Sequence, residues 1–197
     1  MYAYIKGTLA YKDPAFVVID VNGVGYEIRT TLNTYGSIKD LGSCKLFTYA
    51  HIKEDGHTLY GFKEEEEKRL FLNLISISGV GPSTGIMILS SLSPSEIKQA
   101  IIQEQVAVIQ SVKGVGAKTA QRIILELKDK VKKDGLNGFS GEISNISHNS
   151  IKDEALSALT TLGISKNVAE KAILNHLKNA EQEITVEELI KRVLKSS

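Results

Sequence analysis

The sequence predicts an α+β protein of several small domains: a closed β-barrel, a central helical domain and a small C-terminal helical domain. Up to about Lys63, short β-branched and aromatic runs alternate with turn residues, whereas from Glu64 onward apolar residues recur at helical spacing. Between the two helical parts, a stretch rich in Gly, Ser and Asn predicts a flexible linker. The predicted segments are therefore 1–63, 64–134, 135–150 (the linker) and 151–197.

Composition is typical of a globular protein, and we expect it to be cytoplasmic. Of its 197 residues 42% are hydrophobic, and no apolar run approaches the roughly 20 residues that a membrane span needs. The N-terminus lacks a signal-peptide pattern. A single cysteine, Cys44, excludes an internal disulfide framework and predicts a buried thiol. The formal net charge of +1 provides no bulk electrostatic case for nucleic-acid binding.

The first segment is predicted to contain about five short strands. Two of its turns carry the dipeptides Asn22-Gly23 and Asp55-Gly56, which tolerate positive φ and are typical of two-residue β-hairpins. So many short strands in roughly 60 residues favour a small closed barrel of the five-stranded OB type. The clearest strand candidates lie at 16–21, 25–30, 45–52 and 58–62.

The remaining segments predict helices. The four glutamates at 64–67 precede an apolar helical face, and we interpret them as a solvated first turn rather than a metal site. Residues 93–96 form a capping box with proline at the first helical position. The C-terminal segment predicts three helices, at 151–162, 165–177 and 185–194.

Residues 75–92 and 110–127 form an internal repeat. Gly79 aligns with Gly114 without a gap, and each copy reads helix, Gly-Val-Gly, helix. A repeat of this kind is a supersecondary unit that the chain uses twice. For a single copy, an ordinary helix–turn–helix connection with glycine caps would explain the pattern equally well. Two aligned copies favour a shared function.

That function is predicted to be phosphate binding. The glycines allow backbone angles that a side chain forbids and let another backbone approach closely, while the valine fills the space between the two helices. Each turn opens a helix whose first amides lack an intrahelical partner and whose dipole favours an anion. Such contacts would hold DNA without reading its bases. The predicted contacts are Gly79, Val80, Gly81, Ser83 and Thr84 in the first copy, and Gly114, Val115, Gly116, Lys118 and Thr119 in the second.

Parts of the repeat resemble two nucleotide-binding motifs, but neither motif has its glycines where they are needed. Residues 114–119 read like the end of a P-loop, but Ala117 and Val112 stand where glycines are needed. The first copy lacks the third glycine of a dinucleotide fingerprint, since Gly85 falls one residue late.

An enzyme and an interaction scaffold are the competing interpretations. A DNA glycosylase or nuclease needs a positioned acid, base or metal cluster. The histidines are scattered, at His51, His57, His148 and His176. A scaffold would leave the phosphate geometry of the repeat unexplained. We therefore predict no catalytic residue, no metal site and no cofactor.

The two motifs resemble the helix-hairpin-helix element of DNA repair proteins, and the chain as a whole resembles the RuvA family. This resemblance rests on residues 22–27 (Asn-Gly-Val-Gly-Tyr-Glu), residues 59–62 (Leu-Tyr-Gly-Phe), the two hairpins and the three C-terminal helices, in that order. It covers essentially all 197 residues. It implies an OB-fold barrel, a tandem helix-hairpin-helix domain and a mobile three-helix (UBA-like) domain.

The resemblance also implies a function. The chain would be a non-catalytic subunit that binds four-way (Holliday) junctions in recombination, DNA repair and the SOS response. It would form a homotetramer, or two tetramers face to face as an octamer, and hold the junction open and square-planar. The C-terminal domain would recruit RuvB, the ATPase that drives branch migration, with RuvC resolvase as a further partner.

Individual residues take roles from the same resemblance. Glu54 and Asp55, which on sequence alone favour a solvated hairpin tip, match the acidic pin that would repel phosphates at the junction centre. Leu159, Leu162 and Ile164 are the expected contacts with the ATPase. The first hairpin carries Ser83 where the second carries Lys118, and family members often have lysine there. We therefore expect the first hairpin to bind phosphate mainly through its amides.

Overall fold

A computed structural model describes residues 2–54, 56–138, 149–178 and 184–196. The chain divides into two compact units, Met1–Gly138 and Phe139–Ser197. The first unit contains the predicted barrel and the central helices together. The second contains the three C-terminal helices.

The barrel has the strand order expected of the OB type. Its strands close in the order β1-β2-β3-β5-β4, with β3 and β5 parallel and the other neighbours antiparallel. Inward-facing apolar side chains, including Val17, Ile19 and Ile28, form its core. Cys44 is buried in the same core, as predicted. The strands are β1 (Tyr4–Lys12), β2 (Phe16–Val21), β3 (Val24–Thr30), β4 (Ser43–Lys53) and β5 (Gly56–Phe62).

Turn chemistry explains the β2–β3 hairpin. Val21 pairs with Val24, and between them Asn22 and Gly23 have φ of 53° and 89°, which is the geometry of a type I′ turn. The Gly23 amide also donates to the Asp20 carboxylate at 3.0 Å. The predicted turn at these residues is confirmed.

The β4–β5 hairpin is confirmed in place but its turn lies one residue earlier than predicted. Lys53 pairs with Gly56, so positions 54 and 55, rather than Asp55 and Gly56, lie between the paired residues. Asp55 itself lies outside the described residues. Dipeptide preference locates a hairpin well, but the register of the flanking strands selects which residues form its turn.

A short helix, α1 (Leu32–Ile38), was not predicted. Its N-cap is Thr31, whose hydroxyl accepts a hydrogen bond from the Thr34 amide at 3.0 Å. The helix contributes Ile38 to the barrel core. The sequence signal is weak because the helix has only seven residues and contains a glycine.

The central helices pack against the barrel rather than forming a separate core. Tyr60 and Phe62 of β5 belong to the same cluster of buried side chains as the helices that follow. The ring centroids of Phe62 and Phe71 are 4.9 Å apart. The predicted boundary at 63/64 is therefore a change of secondary structure inside one unit. The helices are α2 (Glu65–Ile75), α3 (Pro82–Ser91), α4 (Pro94–Ile102), α5 (Val106–Gln110) and α6 (Ala117–Gly138).

Two details of these helices bear on the sequence predictions. The capping box at the start of α4 is present, with Ser93 and Glu96 satisfying each other's backbone amides. Helix α6 continues to Gly138, so residues 135–138, assigned to the linker, are helical. Residues 139–148 lie outside the described part of the chain.

The C-terminal unit is a three-helix bundle, as predicted. Its core includes Ala155, Leu159, Ile173 and Leu189. Gly163, with φ of 93°, ends the first helix. The Thr185 hydroxyl caps the third helix by accepting from the Glu188 amide at 3.3 Å. The helices are α7 (Asn149–Thr161), α8 (Lys166–Lys178) and α9 (Val186–Ser196).

Candidate nucleic-acid interface

The two Gly-Val-Gly turns have the same backbone hydrogen bonds. The Val80 amide donates to the Ile77 carbonyl at 3.0 Å, and the Val115 amide donates to the Val112 carbonyl at 3.1 Å. The repeat predicted from sequence is therefore a repeat in three dimensions. Further matching bonds are Ile77 to Leu74 and Val112 to Ile109, and Gly85 to Gly81 and Ala120 to Gly116.

Both valines hold the hairpins to the core. Val80 and Val115 are 4% and 6% exposed and belong to the cluster of buried side chains that the central helices share. This confirms the predicted packing role of the valine. A side chain so enclosed cannot lie against DNA, so the contact predicted at these two positions would be made by the backbone.

The two glycines of each turn differ in what they do. Gly79 and Gly114 have φ of 91° and 86°, a region that residues with a side chain rarely adopt. By contrast, Gly81 is the N-cap of α3 with φ of −85°, an angle open to any residue. The expectation that both glycines of a turn are needed for their backbone angles is therefore wrong for Gly81, and Gly116 likewise is not among the residues with positive φ.

The second glycine of each turn, Gly81 or Gly116, faces open space. A Cβ placed on Gly81 or Gly116 meets no atom of the described residues within 4 Å. Neither backbone conformation nor internal packing therefore requires glycine at these positions. That these glycines let another backbone approach the amides of the following helix stays a prediction.

These amides are available as donors. Ser83 and Thr84 lie in the first turn of α3, and Lys118 and Thr119 lie in the first turn of α6, where backbone amides have no intrahelical acceptor. Among the described residues, none accepts a hydrogen bond from these four amides. The partial positive charge of each helix N-terminus adds to the attraction of an anion.

Charge differs between the two hairpins, as predicted. Lys118 is exposed beside the second turn, whereas the equivalent Ser83 is exposed and uncharged. Thr84 and Thr119 are half-buried.

Helix α6 ties the two hairpins together through a residue that the sequence analysis missed. The Arg122 guanidinium donates to the Ser78 carbonyl, in the first hairpin, at 3.1 Å. Arg122 follows Lys118 by four residues and so lies on the same face of α6. That spacing is the signal that would have identified it. The same guanidinium lies 3.4 Å from the Glu126 carboxylate, so Arg122 links the first hairpin to α6 while paired within that helix.

Comparison with known proteins matches every part of this architecture. Residues 1–61 match the RuvA N-terminal domain, residues 71–129 the SAM-like helix-hairpin-helix tandem, and residues 150–197 the RuvA C-terminal domain. A Cytophaga hutchinsonii protein named Holliday junction branch migration complex subunit RuvA is 56% identical over 199 residues, covering all of both chains. The chain belongs to the RuvA family.

Two further RuvA proteins support the same assignment. Those of Amoebophilus asiaticus and Christiangramia forsetii, which carry the same name, are 51% and 50% identical. The alignments cover 99% of this chain, and 100% and 99% of the two relatives. The fold class predicted from sequence, an OB-type barrel followed by tandem helix-hairpin-helix and C-terminal helical domains, is the RuvA architecture.

The acidic pin predicted at Glu54 and Asp55 falls on the β4–β5 hairpin and stays a prediction. Glu54 is exposed beside the last pair of that hairpin, Lys53 and Gly56. Asp55, the second residue of the predicted pin, lies outside the described residues. The hairpin stem and Ser83 line one common cavity, so the tip of this hairpin and the first RuvA hairpin lie on the same side of the unit.

In the RuvA C-terminal domain, one of the three predicted ATPase contacts is misplaced. Leu159 is 0% exposed and packs in the bundle core, so its assignment to a docking surface is corrected. Leu162 is 62% exposed, and Ile164 is half-buried against the core. The helical spacing that selected these leucines cannot separate core from surface in so small a bundle.

Two other features concern the described residues only. No helix there is long and apolar enough to cross a membrane. Nor do three or more His, Cys, Asp or Glu side chains gather there in a way that could hold a metal ion.

Proposed function

We propose that this chain is a non-catalytic subunit that binds four-way DNA junctions through the sugar-phosphate backbone. The observation that carries the proposal is the open space beside Gly81 and Gly116, next to helix amides that have no acceptor in the described part of the chain. Two such sites on one unit, joined through Arg122, suit two phosphates of one duplex arm. Backbone amides cannot distinguish bases, so binding is independent of sequence.

Preference for a junction arises from assembly. The relatives are named as subunits of a Holliday junction branch migration complex, which supports the same role here. In a homotetramer, each chain holds one arm and the Glu54/Asp55 tips meet at the crossover. Four copies of a weak site then act together, so a chain of net charge +1 binds tightly. Two such tetramers face to face would enclose the junction as an octamer.

The motor resides in a partner. The proposed partner is RuvB, an ATPase recruited by the C-terminal unit, with RuvC resolvase as a further candidate and the cytoplasm as the place of action. Leu162, exposed at the end of α7, and the adjoining Ile164 form the proposed docking surface. Other exposed apolar residues of this unit are Val168, Leu174 and Leu194.

A binding comparison at two salt concentrations tests the proposal. The full-length protein is titrated against a four-way junction and against a linear duplex of the same sequence. We expect tighter binding to the junction, and weaker binding to both DNAs at higher salt because counterions compete for phosphate. Equal affinity for both DNAs would refute the junction role. Cleavage of either DNA by the protein alone would instead support an enzyme.

A further inference from the structure

The polar cavity beside the first hairpin shares Ser83 with the candidate phosphate site, but its other lining residues have no role in the sites described so far. It is a cavity of about 270 Å³ between the stem of the β4–β5 hairpin and the start of α3. Its lining includes Arg29 of β3, Lys53 of β4 and Ser83 of α3. Further polar residues that line it are His51, His57 and Thr58.

Strand register explains why these residues meet. Tyr60 pairs with Arg29 on one side and with Tyr49 on the other, so the three side chains share one outer face of the barrel. Tyr60 is covered by the helices, where it packs on Phe71 at 5.4 Å between ring centroids. His51 and Lys53 follow Tyr49 along β4 by two and four residues, so they continue the same face beyond that cover. The cavity forms where the cover ends.

The cavity has the charge of an anion site. Arg29 and Lys53 are both exposed, and neither forms an ion pair with any described residue. Among the described residues, no carboxylate lines the cavity. The acids nearest in sequence, among those described, are Glu27 and Glu54, neither of which belongs to the lining. Two cations without an ion pair among the residues that the structure describes, beside hydroxyl donors, form a polar pocket suited to a phosphate group.

We infer that this cavity binds a phosphate of the DNA backbone and that Arg29 and Lys53 supply the positive charge which the first hairpin lacks. The inference rests on the proposed function. Ser83 belongs both to the cavity and to the first turn of α3, so one strand contacts the amides of that turn and the two cations together. At the second hairpin the cation comes from within the motif, at Lys118. At the first it comes from the barrel.

The number of phosphate contacts is read from the salt dependence of binding. Each contact contributes about 0.9 to the slope of log affinity against log salt concentration on duplex DNA. The test measures junction binding by full-length wild type and by Arg29→Gln/Lys53→Gln across a series of NaCl concentrations. We expect weaker binding and a shallower slope for the double variant, by about 0.9 for each phosphate that is no longer neutralised. Glutamine keeps a long polar stem, and both residues are exposed, so folding is preserved.

A matched control removes the same charge elsewhere. Lys6 and Lys45 are exposed and pair across β1 and β4, and Lys45 lies at the other end of the strand from Lys53, roughly 26 Å away at the rise of a strand. Lys6→Gln/Lys45→Gln should keep the wild-type slope. If both double variants lower the slope equally, general charge explains the effect and the inference fails. If wild type itself shows no junction preference, the proposed function fails instead.

A rescue variant tests the link to the first hairpin. Adding Ser83→Lys to the Arg29→Gln/Lys53→Gln variant places a cation within the motif, as at Lys118. We expect it to restore part of the wild-type slope, and no recovery would refute the shared site. A free phosphate ion as the occupant gives another result: inorganic phosphate binds to wild type and not to the Arg29→Gln/Lys53→Gln variant, while both proteins bind the junction with the same affinity and salt slope. That result would overturn the inference.

Discussion

The Thr31 hydroxyl donates a 2.5 Å hydrogen bond to the Glu67 carboxylate, joining the barrel to the first central helix. Thr34 donates to the other carboxylate oxygen at 2.6 Å. Both hydroxyls also accept from backbone amides, so each acts as donor and acceptor at once. Glu67 is 4% exposed, whereas the sequence placed it in a solvated helix start together with Glu64, Glu65 and Glu66, which are exposed. That interpretation is wrong for Glu67 alone.

Glu67 should make stability depend on pH. Burial raises its pKa above the ordinary 4.5, outweighing the two threonine hydrogen bonds that lower it. The folded state therefore holds the proton more tightly than the unfolded state. This contribution is complete below about pH 4.5 and is lost as pH rises through the folded pKa. Glu67→Gln should gain stability relative to wild type as pH rises from 4 to 7, because glutamine stays neutral, on top of a pH-independent cost for the one threonine hydroxyl that loses its acceptor. Urea unfolding at both pH values measures it.

A control and a truncation complete that test. Glu65→Gln, on the same helix turn but exposed, should change the free energy of unfolding by less than about 0.5 kcal/mol at both pH values. Glu67→Ala should cost about 1–3 kcal/mol because it leaves buried hydroxyls without an acceptor. A pH-independent difference between wild type and Glu67→Gln would contradict the prediction.

The glycines of the hairpins should separate stability from binding. Gly81→Ala and Gly116→Ala should fold like wild type, because a Cβ meets nothing within 4 Å. Their junction binding should fall roughly tenfold to a hundredfold, since losing one hydrogen bond to a charged group costs about 1.5–3 kcal/mol. Gly79→Ala should instead destabilise the fold by about 1–2 kcal/mol because of its left-handed φ of 91°. Thermal unfolding and junction titration measure the two effects. Wild-type affinity in Gly81→Ala and Gly116→Ala would remove the argument for these sites.

Lys118 and Ser83 should contribute unequally. Lys118→Ala removes an exposed charge beside the second hairpin, whereas Ser83→Ala removes only a hydroxyl and leaves the α3 amides in place. We therefore expect the larger loss of affinity, and the larger fall in salt slope, for Lys118→Ala. Both are measured by junction titration. Equal losses would show that the two hairpins do not differ in the way their charges suggest.

The acidic tip should not be needed for affinity. Replacing Glu54 and Asp55 by alanine removes carboxylates that would repel phosphates at the crossover. Junction binding should therefore persist or become tighter, while strand separation at the crossover is impaired. Binding and the fluorescence of a base analogue at the junction centre measure the two effects. Abolished binding in the double variant would contradict a repulsive pin.

The C-terminal unit should be separable from DNA binding. Because α6 extends to Gly138, a truncation for this test should remove residues 139–197, not 135–197. The truncated protein should bind the junction but support no migration driven by RuvB. In the full chain, Leu162→Asp should impair recruitment without loss of stability, since Leu162 is 62% exposed. Leu159→Ala should cost about 2–5 kcal/mol of stability as a core truncation. Normal RuvB recruitment by the truncated chain would refute the assignment.

Much of the fold could be predicted because its signals are local. The Asn22-Gly23 turn and the capping box at Ser93 each depend on a few neighbouring residues whose conformational preferences outweigh their context. The repeat was predictable for a different reason: two copies at fixed spacing confirm each other. Register was harder, and the β4–β5 turn moved by one residue because pairing across strands, not the dipeptide, selects it.

The solvent exposure of individual side chains was the main property that local sequence patterns failed to predict. Leu159 and Leu162 lie three residues apart on one helical pattern, yet one is core and the other surface. Glu67 and Glu66 are adjacent and chemically identical, yet only Glu67 meets Thr31 and Thr34 at the start of α1. Which side of a helix meets a neighbour depends on how the elements pack.

The sequence by itself determined the two Gly-Val-Gly turns, the OB-type barrel and the order of the segments, because turn chemistry and periodicity act over a few residues. Only the tertiary structure decided which glycine of each turn is required for its positive φ, at Gly79 and Gly114. It alone brought Arg29, Lys53 and Ser83 to one cavity. Those residues are far apart along the chain. Their meeting depends on strand register and on where the helical cover of the barrel ends, and neither is encoded in any short stretch of residues.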